Sequence, residues 1–182
     1  LIQCFKDLPK LCSSFHLPVQ SGSNRILRQM RRFYTREAYL EKAHALLSAR
    51  PDIAFSTDII VGFPSETEEE FESTLRLVEE MQYDNIYSFA YSPRPGTAAS
   101  DRSDQVPDNV KLRRLMELQN LARKISRDRH VCEKGHTREI LIESVSKKDS
   151  QRYTGRSSQN IPVHIPIRSD IKPGDLVKAK IT

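Results

Sequence analysis

Ile53, Phe55, Ile59, Ile60 and Val61 form an apolar, β-branched-rich run of strand length, which predicts a parallel strand covered on both faces. Ser56, Thr57 and Asp58 interrupt it. Polar groups inside a buried strand need partners, and in a barrel of parallel strands these are other inward-facing polar groups or a ligand. Gly62, Phe63 and Pro64 break the strand, and Thr67 with Glu70 three residues on has the form of a capping box. A helix is therefore predicted from Glu68 to about Gln82, with Phe71, Leu75, Val78 and Met81 as its core stripe. Its positive dipole end would lie at the strand's carboxyl edge, where α/β folds bind anionic or carboxylate-bearing ligands.

The same reading extends in both directions. Leu1 to Leu11 has helical spacing as far as Pro9, and Ser14 to Val19 reads as a short strand leading into a Gln20–Ser23 turn. The serines can cap a helix from Asn24 to Arg32, and Thr35 can cap another with Tyr39, Ala43, Leu46 and Leu47 on one face, ended by Pro51. Asn85 to Tyr91 alternates as a strand, and Ser92 to Thr97 is a stiff proline-rich loop presenting Arg94. Asp108 to about His130 is the longest helix, its apolar positions Leu115, Leu118, Ala122 and Ile125 surrounded by cations. Beyond Gly135 the period falls to two, and Arg138–Val145, Tyr153–Ser157, Pro162–Ile167 and Asp175–Thr182 read as short strands.

Strands alternating with amphipathic helices imply right-handed βαβ units and a parallel sheet. The expected fold class is α/β: three parallel strands, half of a six-stranded (β/α) TIM-like barrel, followed by a small all-β barrel of the OB type. The domains are expected at 1–134, including the helix 108–130, and at 135–182. Half a barrel leaves a sheet edge open, which favours intermolecular pairing unless something covers it.

Composition adds two constraints. Residues 1–106 carry 12 Lys and Arg against 15 Asp and Glu, whereas residues 107–182 carry 17 against 9, so the basic end is the one suited to a polyanion such as nucleic acid. Cys4, Cys12 and Cys132 have no C-x-x-C spacing, which suggests neither a disulfide framework nor a metal site and fits a reducing, cytoplasmic setting; Cys4 and Cys12 are expected to be packing thiols. No apolar run approaches membrane-spanning length, so no membrane partner is expected. The chain starts at Leu1 and not Met, which reads as a piece of something longer. His16, inside a predicted strand, is expected to be a satisfied core histidine.

His16–Ser23 (HLPVQSGS), Ser56–Thr67 (STDIIVGFPSET) and Tyr91–Thr97 (YSPRPGT), in that order and spacing, resemble the methylthiotransferase branch of the radical S-adenosylmethionine enzymes, and most closely its MiaB-type tRNA-modifying members. Tyr153–Asn160 (YTGRSSQN) resembles the C-terminal TRAM domain of the same proteins. The resemblance implies reductive cleavage of S-adenosylmethionine and hydrogen abstraction from an unreactive carbon, the cofactor carrying the hard step while the protein orients it. It implies methylthiolation of N6-isopentenyladenosine beside the anticodon. Sister branches imply two alternatives, threonylcarbamoyladenosine in tRNA or an aspartate of a ribosomal protein. A non-catalytic RNA-binding module is a further alternative.

The family holds two 4Fe–4S clusters, one through a CxxxCxxC motif that is absent here, so no catalytic residue, no metal ligand and no turnover are expected of this chain alone. By resemblance, S-adenosylmethionine and substrate are lined by Gln20, Ser21, Asp58, Gly62, Phe63, Pro64, Tyr91, Ser92 and Arg94. Asp58 and Gln20 can accept from ribose hydroxyls or the methionyl ammonium, and a glycine turn lets backbone approach adenine. In the TRAM-like part, Lys147, Lys148, Arg152 and Arg156 are expected to contact phosphates of a tRNA anticodon stem-loop, with Tyr153 stacking on a base.

Overall fold

The computed structural model describes residues Leu1–Thr182 throughout. In chain order the elements are α1 (Ile2–Asp7), β1 (Ser14–His16), α2 (Asn24–Gln29), α3 (Arg36–Ala49), β2 (Ala54–Val61), α4 (Glu68–Met81), β3 (Asn85–Ala90), α5 (Asp108–Cys132), β4 (Thr137–Val145), β5 (Arg152–Ser157), β6 (Pro162–Pro166) and β7 (Leu176–Lys180). A three-stranded sheet has the order β1-β2-β3, and a four-stranded sheet has the order β6-β5-β4-β7. The β2–β3 pair is parallel, and every pair of the second sheet is antiparallel. The chain is thus mixed α/β, with parallel and antiparallel strands segregated along the sequence.

Helix starts follow the predicted side-chain chemistry. The Ser23 hydroxyl accepts from Ile26 N at the start of α2, and Thr67 with Glu70 completes a reciprocal capping box on α4. Helix α4 ends at Gln82 in the left-handed conformation (φ 50°). Its buried stripe is Phe71, Thr74, Leu77, Val78 and Met81, with Leu75 only partly covered, a slight rotation from the predicted face.

Two compact units emerge, one from Leu1–Phe15, Leu46–Ala54 and Arg129–Thr182, the other from His16–Ala45 and Phe55–Asp128. In the first, Ile140, Ile142, Tyr153 and Ile171 form a core on which Val163, Ile165, Val177 and Ala179 pack. The Ser158 hydroxyl accepts from Ser13 N at 2.8 Å, and Gln159 Nε2 donates to Asp52 at 2.9 Å, so the turn between β5 and β6 is tied to segments distant in sequence.

In the second unit the parallel strands are not covered on both faces as the apolar run predicted. Phe55, Thr57, Ile59 and Val61 are buried, while Ser56, Asp58 and Ile60 are partly open. Thr57 is satisfied on the covered side, its Oγ1 accepting from Val19 N at 2.9 Å and donating to Leu17 O at 2.8 Å. Tyr39 and Tyr83 meet through their hydroxyls at 2.9 Å, and burial pushes the Tyr39 phenol up to about 12. Three expectations are corrected. His16 is exposed, not a core residue, and Cys4 and Cys12 are exposed, not packing thiols. Helix α5 buries Lys111 and Arg114 along with Leu118 and Ile125.

Candidate functional site

The carboxyl edge of the parallel sheet gathers three chain segments. Gln20 bridges to Ile59: its N–H donates to Asp58 O at 2.8 Å and its carbonyl accepts from Ile60 N at 3.0 Å. Tyr91 N donates to Val61 O at 2.8 Å, carrying the β2–β3 pairing one residue past β3. Between them lies the Gly62–Phe63–Pro64 turn, all three residues buried. The tips of β1, β2 and β3 are therefore joined by backbone bonds at one edge.

Gly62 has φ 71°, and a Cβ there would stand 2.4 Å from Lys111 Cγ, so both the backbone conformation and the packing of α5 require glycine. Its N–H donates to Glu66 Oε2 at 2.6 Å. Glu66 also accepts from Arg114 at 2.9 Å, the two side chains being 1% and 4% exposed. Arg114 reaches the Glu66 carbonyl and Glu68 as well, and lies over the Phe71 ring at 5.5 Å. Burial pushes the Glu66 carboxyl up, with Gly62 N–H and Arg114 opposing it, and Glu66 Oε1 has no partner. The Phe63 and Tyr91 rings meet edge-on at 5.1 Å, Lys111 Nζ lies 5.8 Å from the Tyr91 centroid, and the buried Tyr91 hydroxyl has no partner. Glu66, Lys111 and Arg114 escaped the sequence reading. The signal was present, since Lys111 and Arg114 extend the Leu118–Ile125 stripe backwards at helical spacing.

A second cluster occupies the open face of the same sheet. His16 Nδ1 is 2.9 Å from Ser56 Oγ, its Nε2 is 3.5 Å from Asp58 Oδ1, and its ring meets Tyr87 edge-on at 5.9 Å. A third fixes the start of α4. Arg25 donates to both Glu70 oxygens and to Ser65, and Ser23 adds a hydroxyl donor at 2.9 Å. Burial pulls the Glu70 carboxyl up, but the bonds from Arg25, Thr67 N–H and Ser23 outweigh it and hold it at about 2.

Of the nine residues expected to line a cofactor, Gln20, Gly62, Phe63, Pro64 and Tyr91 share the carboxyl edge, and Asp58 stands on the open face. Ser21 does not join them through its side chain, which is fully buried, approaches Thr74 Oγ1 at 3.5 Å and accepts from Ser23 N. Ser92 and Arg94 are exposed in the loop after β3, where the Arg94 carbonyl accepts from Thr97. No group of three or more His, Cys, Asp or Glu is placed to hold a metal ion.

The antiparallel sheet carries the expected nucleic-acid residues. Lys147 and Lys148 are exposed between β4 and β5, Arg152 pairs with Asp149 at 3.2 Å, and Arg156 pairs with Glu143 at 3.3 Å and with Asn160. Tyr153 is the exception and corrects the expectation of base stacking. It is a core residue, its hydroxyl donating to Ile171 O at 3.0 Å.

Comparison with known proteins bears on this geometry. Residues 2–78 match the radical SAM superfamily. The whole chain is 46% identical to a protein of Syntrophobacter fumaroxidans, 48% identical to one of Thermoanaerobacter sp. and 44% identical to one of Akkermansia muciniphila. Each of the three is named tRNA-2-methylthio-N(6)-dimethylallyladenosine synthase, and the chain spans 40%, 38% and 39% of their respective lengths. No helix is long and apolar enough to cross a membrane.

Proposed function

We propose, since residues 2–78 match the radical SAM superfamily, that the chain forms part of a tRNA methylthiotransferase acting on N6-isopentenyladenosine beside the anticodon. The observation that carries the reading is the end-to-end similarity to enzymes of that name, combined with the joining of Gln20, the Gly62 turn and Tyr91 at one sheet edge. In this reading residues 1–134 supply half of a (β/α) barrel, and residues 135–182 are an OB-like TRAM domain contacting the anticodon stem-loop in the cytoplasm.

The residues present fit an adenosyl ligand at the sheet edge. The Asp58 carboxylate is partly open and the Tyr91 hydroxyl is an orphaned donor beside the glycine turn. Gln20, Asp58, Gly62, Phe63, Pro64 and Tyr91 would hold S-adenosylmethionine, with Ser92 and Arg94 on the adjoining loop. Bound there, the cofactor supplies the hydrogen-abstracting chemistry for an unreactive carbon. The chain's own groups orient it and exclude water, the aromatic pair Phe63–Tyr91 closing one side and Asp58 accepting from ribose or ammonium donors. Cys4, Cys12 and Cys132 stand singly at the surface and do not fit an iron–sulfur cluster, so both clusters are assigned to cysteines elsewhere in the full protein.

The test is mass spectrometry of tRNA and ribosomal protein from a strain lacking the gene that encodes this sequence. Loss of the methylthio group from isopentenyladenosine, restored by the full gene, is expected. Unchanged isopentenyladenosine with loss from threonylcarbamoyladenosine or from a ribosomal aspartate would move the assignment to a sister substrate.

A further inference from the structure

The loop between α2 and α3, residues 30–35, carries the most exposed large apolar side chain of the chain: Phe33 is 99% exposed, against 70% for the next, Leu1. A ring left wholly in water adds nothing to the hydrophobic core. Its surroundings are cationic. Arg28, Arg31 and Arg32 are all exposed, and no Asp or Glu lies between Asp7 and Glu37 in the sequence. The arginines on either side are committed, Arg25 to Glu70 at 2.5 Å and Arg36 to Glu80 at 2.9 Å. The three between them have no carboxylate partner.

The loop is held at its base. Arg31 takes the left-handed conformation (φ 55°), Arg32 N donates back to Leu27 O at 2.9 Å, and the Tyr34 hydroxyl donates to the Pro18 and Val19 carbonyls at 3.2 Å. Asn24 Oδ1 accepts from Arg36 N at 2.6 Å and closes the far end. Helix α2 is fixed in turn to the segment after β2, Ser65 Oγ donating to Gln29 Oε1 at 3.2 Å while accepting from Arg25. The tip is therefore preorganised, and a partner that binds it does not have to order it.

The side chains narrow the partner. An unpaired guanidinium keeps every donor of its planar fork, which matches phosphate oxygens two at a time. A lipid surface would suit the charges but rewards several inserted apolar chains, and here the nearest others, Ile26 and Leu27, are wholly buried. An acidic protein would leave the flat ring without a matching surface. An unpaired stretch of RNA meets both needs at once, with phosphates for the guanidiniums and an unstacked base for the ring.

We infer that the α2–α3 loop is an RNA contact separate from the antiparallel sheet, with Arg28, Arg31 and Arg32 on phosphates and Phe33 stacked on one unpaired base. This rests on the function proposed above, in which the substrate is a tRNA anticodon stem-loop. It gives that RNA a second hold, in the unit that carries the glycine turn.

The full-length protein containing this sequence is titrated with an anticodon stem-loop RNA carrying isopentenyladenosine by fluorescence anisotropy at stepped salt, and with S-adenosylhomocysteine by calorimetry. Phe33→Leu is expected to weaken RNA binding roughly tenfold, while Phe33→Tyr stays within about twofold, because stacking needs the ring. Arg28→Gln, Arg31→Gln and Arg32→Gln should each reduce the salt slope by about 0.7 to 1. Tm and the affinity for S-adenosylhomocysteine should not move, since none of the four side chains is buried. If the wild type binds the RNA and these variants bind it with the same affinity and slope, the loop is no RNA contact. Loss of binding to phosphatidylserine vesicles with RNA binding intact would give the loop to a membrane surface and overturn the inference, as would a fall in Tm or in S-adenosylhomocysteine affinity matching the loss of RNA. If the wild type does not bind the RNA at all, the functional reading falls and the inference with it.

Discussion

In the parallel sheet, charged groups beside the carboxyl edge are withdrawn from water: Arg114 and Glu66 are locked together and to the Gly62 amide. In the antiparallel sheet the cations stay at the surface, Arg152 and Arg156 in single ion pairs and Lys147 and Lys148 exposed between strands. The two arrangements differ in what they can do. A buried pair gives little net stability but punishes any loss of a partner, so it fixes one geometry. A surface pair contributes little and breaks easily, so its cation is available to a polyanion. The first region holds one shape, and the second keeps its cations within reach of solvent.

The sharpest way to break that contrast is to remove one member of the buried pair. Arg114→Met should lower unfolding free energy by about 3–5 kcal/mol in denaturant titration, because Glu66 is left buried without its counter-charge. Glu66→Gln in the same background should recover part of the loss. A value under about 1 kcal/mol would put Arg114 with the surface cations. Next in size is Gly62→Ala, expected at about 2–3 kcal/mol from the positive φ and the clash with the Lys111 stem. Shortening Lys111 in the same background should relieve the clash but not the backbone term.

The contrast also marks how far the sequence could be read. Capping at Ser23 and Thr67, the glycine turn and the βαβ alternation were legible, since each rests on local chemistry within a few residues. Burial of Lys111 and Arg114 was harder to read: both extend the apolar stripe, but charge implied exposure, and for Arg114 it is the long-range partner Glu66 that reverses that. The bare face of β2 was hidden for a related reason: alternation of Ser56, Asp58 and Ile60 with Thr57, Ile59 and Val61 reads as one apolar strand with an interruption. At the candidate site, Gln20, Gly62 and Tyr91 were singled out through motifs, and they share the carboxyl edge of the parallel sheet. His16 was misplaced in the core and Tyr153 was given a surface role, because a strand's period sets alternation but not which side is inside.

A third test is acid. Glu70 sits at about 2 in the fold against 4.5 when free, so its contribution is complete above about pH 4.5 and disappears as pH falls toward 2. Between those values the second unit should lose on the order of 2 kcal/mol, read by denaturant titration at stepped pH. Glu70→Gln should flatten that window. If it does not, the Arg25–Glu70 cluster behaves as a surface pair and belongs with the second region.

The smallest effects lie in the antiparallel sheet, where stability and binding should separate. Tyr153→Phe removes the hydroxyl that donates to Ile171 O and should lower stability by about 1 kcal/mol without changing RNA affinity, since the ring is a core residue. Lys147→Ala and Lys148→Ala should do the reverse. Each should leave unfolding free energy within about 0.5 kcal/mol, because an exposed turn lysine holds nothing in place. If these lysines meet phosphates, each substitution should weaken anticodon stem-loop binding uniformly across loop sequences and reduce the salt slope by about 1. An unchanged slope in the double variant would leave the charge of this sheet as solvated surface and remove its half of the comparison.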